Sequence, residues 1–186
     1  AAAIMQLVQK KKLSVDDRLS QFFPDYSHGD DITVRMLLTM RSGLTDHINC
    51  PEEFFPPAVY RQIQLAEADC TPLERDVVLT HFYAAPLLAK PDSTYFYCNT
   101  DYYLLAKIIE LASGESYESY IRKNIFETCG MDNTNLEFQG TQTRGYDYKG
   151  RYFSIPAELA IGCGDVNSSV VDLFKWNVCF TGGRVV

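Results

Sequence analysis

The chain has 186 residues, enough for one large or two small domains with a buried hydrophobic core. Its composition, 46% hydrophobic and 22% charged, is typical of a globular protein. The formal net charge of -7 disfavours nucleic acid as a partner, because phosphates need a basic surface to bind. No apolar stretch reaches the roughly 18 to 20 residues that a membrane-spanning helix needs, so no membrane span is predicted in this chain.

The first 25 residues predict two helices. Residues 1–12 place apolar side chains on one face and lysines at the end, which indicates a helix already under way at residue 1. Ser14 and Asp17 have the spacing of a capping box, and they predict a short helix that ends at Pro24.

Two further helices are predicted in the next sixty residues. Thr33 is a suitable N-cap for a helix over residues 34–42, and Gly43 is placed to close that helix in the left-handed conformation. Thr71 is the predicted cap of a second helix that runs to about Phe82.

The strongest helical periodicity lies between residues 100 and 128. A long amphipathic helix is predicted with Asn99 or Thr100 as its N-cap and Gly114 at its end. A second helix is predicted over 117–128, with Gly130 behind it.

The last 45 residues predict one hairpin and one helix. Alternating side chains around Lys149-Gly150 indicate a short β-hairpin near 144–155. Ser168 or Ser169 is the predicted cap of a helix that ends at Gly182. With no internal repeat and no flexible linker, residues 1–186 are predicted to form a single, mainly α-helical unit.

Residues 94–105, "TYFYCNTDYYLL", combine aromatic and short polar side chains. In extended backbone Tyr97 and Asn99 project to one side and Cys98 to the other. A phenol and a carboxamide would then lie together just before the N-terminus of a helix. The competing interpretation is aromatic packing, with Tyr95 and Phe96 in the core and Asn99 as a cap.

Other catalytic patterns are absent from the sequence. It contains no G-x-S-x-G motif, no glycine-rich phosphate loop and no H-E-x-x-H motif, and its six cysteines form no C-x-x-C pair. No metal site and no cofactor are therefore predicted. A third interpretation makes Cys98 a nucleophile, since a helix N-terminus can lower the pKa of a thiol, although alternation turns Cys98 away from Tyr97.

Four blocks resemble, in order, the serine β-lactamase and penicillin-binding protein superfamily, in the branch of class C β-lactamases, D-alanyl-D-alanine carboxypeptidases and related esterases. The blocks are residues 12–25, 32–47, 97–134 and 162–176. The resemblance implies the helical part of an α+β, β-lactamase/transpeptidase-like fold. It also implies that the unit is cut at both ends from a larger domain whose strands lie before and after it.

The resemblance also implies roles for two residues. Tyr97-Cys98-Asn99 matches the family's Tyr-x-Asn motif, so that Tyr97 would be catalytic, moving a proton, and Asn99 would bind the substrate's amide. The family's nucleophilic Ser-x-x-Lys motif and its Lys-Thr-Gly or His-x-Gly motif do not occur in these 186 residues.

The expected function is part of a serine hydrolase that acts through an acyl-enzyme on a β-lactam, a D-Ala-D-Ala peptide or a small ester. The chain alone is expected to be inactive. The alternative is a non-catalytic relative that binds peptidoglycan or another peptide. Expected partners are a small molecule or a peptidoglycan peptide, with self-association through exposed core faces, and the resemblance favours an extracytoplasmic location.

Overall fold

The computed structural model describes residues 1–49, 77–136, 146, 149–150 and 157–186, and this part of the chain is helix-rich. The helices, in chain order, are α1 (Ala2–Gln9), α2 (Val34–Leu38), α3 (Val77–Ala84), α4 (Asn99–Ser113), α5 (Tyr117–Ile121), α6 (Glu127–Cys129), α7 (Ala157–Ala160) and α8 (Val170–Thr181). A π-helical segment, Arg122–Phe126, joins α5 to α6. No helix among these described residues is long and apolar enough to cross a membrane.

Helix α4 is the centre of the fold. It packs against α1, α2 and α5, and Tyr103, Leu104 and Ile108 on its inner face are fully buried. Truncating a side chain such as Leu104 to Ala would cost about 2 to 5 kcal/mol. This burial fixes the position of the first turn of α4, where the predicted site residues lie.

Five of the predicted helix ends are confirmed, and Gly130 and Gly182 are two of them. The Thr33 hydroxyl accepts a hydrogen bond from the backbone nitrogen of Met36, and Ser169 caps α8 in the same way. Gly114 closes α4 with a left-handed φ of 78°. These ends depend on local chemistry, which is why the sequence identifies them.

The helix predicted over 34–42 is shorter in the structure and ends at Leu38. The chain turns at Met40, which has a φ of 53°, and the following residues pair with a distant segment. Backbone hydrogen bonds connect Arg41 with Asp92 at 2.8 Å and Gly43 with Leu88 at 2.8 Å. Gly43 therefore does not close the helix, and its φ of 77° serves the loop that packs against residues 88–92.

The helix predicted between Ser14 and Pro24 is also wrong. Asp17 does accept the backbone hydrogen bond of Ser14, at 2.7 Å, but the segment forms turns and a short 3₁₀-helix, Leu19–Gln21. An isolated antiparallel bridge between Arg18 and Thr33 holds the segment in this form, because backbone groups that pair across the bridge cannot also form helical hydrogen bonds.

The remaining predicted elements lie partly outside the described residues. The helix expected from Thr71 is described from Val77 onward, as α3. The hairpin predicted near 144–155 is not confirmed, since most of it is outside the described residues. A second isolated antiparallel bridge pairs Asn135 with Asn167, shortly before α8.

Candidate active site

Tyr97, Cys98 and Asn99 alternate as the sequence indicates. Cys98 has extended backbone angles, φ -145° and ψ 111°, and it is the residue before α4. The Tyr97 hydroxyl lies 3.3 Å from Asn99 Oδ1, whereas the Cys98 thiol points inward and lies 3.6 Å from the carbonyl oxygen of Leu44. Tyr97 is 57% exposed, while Cys98 and Asn99 are buried. The phenol thus stands at the surface with a buried carboxamide behind it.

The N-cap of α4 differs from the prediction. Helix α4 begins at Asn99 after Cys98, and Cys98 makes no side-chain capping bond. The carboxylate of Asp46 takes over this role: its Oδ2 accepts the backbone N–H of Asn99 at 3.0 Å. A distant side chain therefore caps the helix, and Asn99 is left to use its own side chain elsewhere.

Asp46 also holds the side chain of Asn99. Asp46 Oδ2 lies 2.8 Å from Asn99 Nδ2, and the backbone nitrogens of Ile48 and Asn49 donate to Asp46 Oδ1 at 2.7 and 3.0 Å. Burial alone would raise the pKa of Asp46, but these hydrogen bonds outweigh burial and leave the pKa below its ordinary value. Asp46 is therefore an ionised, buried carboxylate directly behind the candidate site.

A second buried carboxyl, that of Asp101, lies in the same first turn of α4. Asp101 accepts a hydrogen bond from the Ser42 hydroxyl, whose oxygen also accepts the backbone N–H of Leu44 at 3.1 Å. Burial raises the pKa of Asp101 to about 8, although the Ser42 hydrogen bond opposes this shift. Ser42 and Asp101 thereby join the loop after α2 to the first turn of α4.

His47 completes the buried support of this loop. Its Nε2 lies 2.8 Å from the carbonyl oxygen of Leu159, which can only accept, so Nε2 carries a proton. Its Nδ1 lies 3.0 Å from the Thr100 hydroxyl. Burial lowers the pKa of His47, which makes the neutral ring the stable form. His47 therefore connects α4 to α7 as a structural group.

Two sequence interpretations of residues 95–98 are wrong. Tyr95 and Phe96 are not core residues, since they are 59% and 48% exposed on a segment whose backbone pairs with Met40. Cys98 is unsuited to be a nucleophile: burial, followed by the nearby Asp101, raises the pKa of its thiol well above the ordinary value.

The sequence patterns did not identify residues 42–47, which include Asp46, as part of the site. The available signal is a polar run, Thr45-Asp46-His47, directly after Gly43 and Leu44. Asp46 and Asn99 are 53 positions apart, so no local pattern pairs them.

Within the described ranges, no group of three or more His, Cys, Asp or Glu side chains could hold a metal ion. A largely apolar cavity of about 280 Å³ lies between α1, α4, α5 and α8, and Tyr102, Tyr117 and Trp176 are among its lining residues. Neither Tyr97 nor Asn99 lines this cavity, so it is separate from the candidate site.

Several known proteins are similar to this chain in sequence or in structure. A protein of Bacillus subtilis (strain 168) named "Putative penicillin-binding protein PbpX" is 29% identical over 195 residues, which cover 100% of this chain and 44% of that protein. The octameric penicillin-binding protein homologue from Pyrococcus abyssi matches with a TM-score of 0.72 at 30% identity, covering 100% of this chain and 43% of its own.

The D-amino acid amidase from Ochrobactrum anthropi SV3 has the same fold, with a TM-score of 0.77 at 24% identity, over 100% of this chain and 52% of the amidase. The chain thus spans about half, or less, of the length of these relatives. The Beta-lactamase family model matches residues 1–183. Because this match extends over nearly the whole sequence, the chain belongs to the Beta-lactamase family.

Proposed function

We propose that this chain is the helical part of a serine hydrolase that acts through an acyl-enzyme on a β-lactam, a D-Ala-D-Ala peptide or a small ester. The observation that carries the proposal is the geometry at the start of α4. Tyr97 exposes a hydroxyl 3.3 Å from Asn99, and Asn99 is fixed by the buried Asp46. Family membership and the Tyr-x-Asn motif support the same function.

In this proposal Tyr97 transfers a proton and Asn99 binds the substrate's amide. An acyl-enzyme forms when a serine hydroxyl attacks the substrate carbonyl, loses its proton and expels the leaving group, which must gain one. We assign the transfer of that proton to Tyr97, and the exposure of its phenol supports this role. The family's Ser-x-x-Lys motif would supply both the serine and a lysine cation beside Tyr97.

The 186 residues contain no Ser-x-x-Lys motif, so the proposal assigns the nucleophile to another part of the protein. Without a serine, Tyr97 has no group to activate. We therefore propose that residues 1–186 alone are inactive. Turnover of nitrocefin or of a short p-nitrophenyl ester by the purified 186-residue chain would contradict this.

Labelling of the full-length protein tests the proposed function. A fluorescent penicillin or a fluorophosphonate should attach covalently, and replacing the serine of the protein's Ser-x-x-Lys motif by alanine should abolish the label. A full-length protein without that motif, or one that binds peptidoglycan peptides reversibly and is never labelled, would instead be the non-catalytic relative.

A further inference from the structure

Helix α8 passes antiparallel to residues 128–134, which contain the end of α6. Three side chains on one face of α8 contact this segment, and their partners follow in reverse order. The contacts are Asp172 with the backbone N–H of Asn133, Lys175 with the carbonyl oxygen of Gly130, and Cys179 with the carbonyl oxygen of Thr128. Cys129 lies between the last two of these partners, so this crossing brings it opposite Cys179.

The thiols of Cys129 and Cys179 meet where α6 and α8 pack together. They interact directly, since they are close enough to share a hydrogen bond. Both are free thiols, and the two residues are 6% and 0% exposed. Two sulfur atoms thus lie side by side in a buried contact between two helices, and a disulfide bond requires such an approach.

Reaction of this pair requires the contact to open. Burial, followed by the contact with Cys179, raises the pKa of Cys129 to about 12, although Arg184 opposes this shift. Because the thiolate is the reactive form, the closed contact protects Cys129. Both cysteines lie at helix ends, since Cys129 is the last residue of α6 and Cys179 is in the last turn of α8. Helix ends open at a lower free-energy cost than a core, so the pair can react without global unfolding.

We propose that Cys129 and Cys179 are a redox modification site, at which a small-molecule disulfide such as oxidised glutathione creates an intramolecular disulfide bond between α6 and α8. The inference goes beyond the proposed hydrolase function and does not depend on it. It assigns a chemical role to two cysteines that the sequence alone would leave as small apolar side chains.

The bond forms in two exchange steps. Cys129, the more exposed of the two, loses its proton and attacks one sulfur of the oxidant, whose S–S bond breaks and whose other half leaves as a thiol. Cys179 then loses its proton and attacks the Cys129 sulfur of this mixed disulfide, which releases the second half of the oxidant as a thiol. The protein gives up two protons and two electrons, and the oxidant gains them.

The new bond should stabilise the protein. It would close a loop of about 50 residues, and such a bond restricts the unfolded chain more than the folded one. The oxidised full-length protein should therefore unfold roughly 3 to 10 °C above the reduced protein. Differential scanning calorimetry of the two forms measures this shift.

Mass spectrometry of the full-length protein identifies the bond itself. Reduced wild-type protein is incubated with oxidised glutathione, in buffer and in mild urea that favours local opening, then blocked with N-ethylmaleimide and digested with trypsin. Cys129 lies in the tryptic peptide 124–144 and Cys179 in 176–184, and each peptide contains one cysteine. The linked pair of peptides should exceed the unlinked ones by about tenfold, and a reductant should separate it.

Two variants serve as controls. Cys129→Ala should remove both the linked peptides and the rise in unfolding temperature. Cys163→Ala should leave both unchanged, because the Cys163 thiol contacts the carbonyl oxygens of Leu159 and Ala160, each at 3.3 Å, rather than this pair.

The inference is overturned if the wild-type peptides 124–144 and 176–184 stay separate in both buffers, whether blocked or carrying glutathione. A bond from Cys179 to any other cysteine would overturn it equally. Because these outcomes are read from the wild type, they do not require any variant to fold.

Discussion

The Ser42 hydroxyl donates a hydrogen bond to Asp101, a contact that connects positions 59 residues apart and joins the loop after α2 to α4. Because Asp101 has no exposed surface, its carboxyl is held in a low-dielectric environment that favours the neutral acid. The first turn of the helix that carries Asn99 thus contains a proton that an exposed aspartate would lose.

Because folded Asp101 keeps this proton, we expect the free energy of unfolding to depend on pH. The pKa of Asp101 is about 8 in the folded chain and about 3.9 when unfolded, so the unfolded state releases the proton first as pH rises. Neutral Asp101 contributes its full share of the unfolding free energy below about pH 4. As the pH rises from about 4 to about 8 this contribution is lost, by at most about 1.4 kcal/mol per pH unit. In urea titrations at pH 5 and pH 8, the difference in unfolding free energy between wild type and Asp101→Asn should change with pH. Asp92→Asn, an exposed partner of Arg41, is the control. A pH-independent difference for Asp101→Asn would contradict the shifted pKa.

Gly43 should tolerate no side chain. A Cβ at this position would lie 2.2 Å from the carbonyl oxygen of Ala89, and the φ of 77° is unfavourable for any other residue. Gly43→Ala should therefore cost about 3 kcal/mol or more. Gly114→Ala is the matched control, because it has the same φ, 78°, with no atom within 4 Å of the added Cβ. It should cost about 1 kcal/mol. Thermal unfolding measures both, and equal losses would mean that Ala89 can move away.

Tyr97 should matter for catalysis far more than its neighbour Tyr95. If the proposed function holds, Tyr97→Phe in the full-length protein should lower kcat by about 10²-fold or more, because general acid–base groups contribute this much. Tyr95 is equally exposed, and its hydroxyl lies 3.7 Å from the sulfur of Met40, so Tyr95→Phe is the control. Steady-state kinetics with one reporter substrate separates the two, and equal effects would remove Tyr97 from the mechanism.

Helix α8 predicts self-association of the 186-residue chain. Its Val170, Val171 and Phe174 are 84%, 62% and 68% exposed, which makes an unusually apolar surface. Light scattering should give a mass above 21.1 kDa at high concentration. The double variant Val170→Ser with Phe174→Gln should approach the monomer mass, while Leu111→Gln on α4 should behave as wild type. A monomeric wild-type chain would refute this prediction.

The sequence predicts the parts of this fold that local chemistry controls. The caps at Thr33 and Ser169 and the end at Gly114 are each defined by two or three neighbouring residues. It fails at residues 39–43, where pairing with residues 88–96 overrides the helical preference. Local sequence patterns do not predict such pairing, because its free energy depends on segments 45 or more positions away.

The candidate site shows the same division. Strand-like alternation identifies Tyr97 and Asn99 as neighbours and turns Cys98 inward, and the structure has this arrangement. The groups that hold them, Asp46 and Ser42, come from another part of the chain. Their importance depends on burial and on which donors surround them, and neither property can be read from a single segment.

Cys98, the middle residue of the Tyr-x-Asn motif, has an inward-facing thiol. Its reactivity can therefore report when the candidate site opens. Alkylating reagents need an accessible thiolate, so Cys98 can react only when the segment before α4 separates from Leu44. The alkylation rate, read by mass spectrometry of the peptide and divided by the rate of a free thiol, measures how often that separation occurs. A ligand that bridges Tyr97 and Asn99 would slow the reaction, and its occupancy could then be measured without a chromophore or an engineered label.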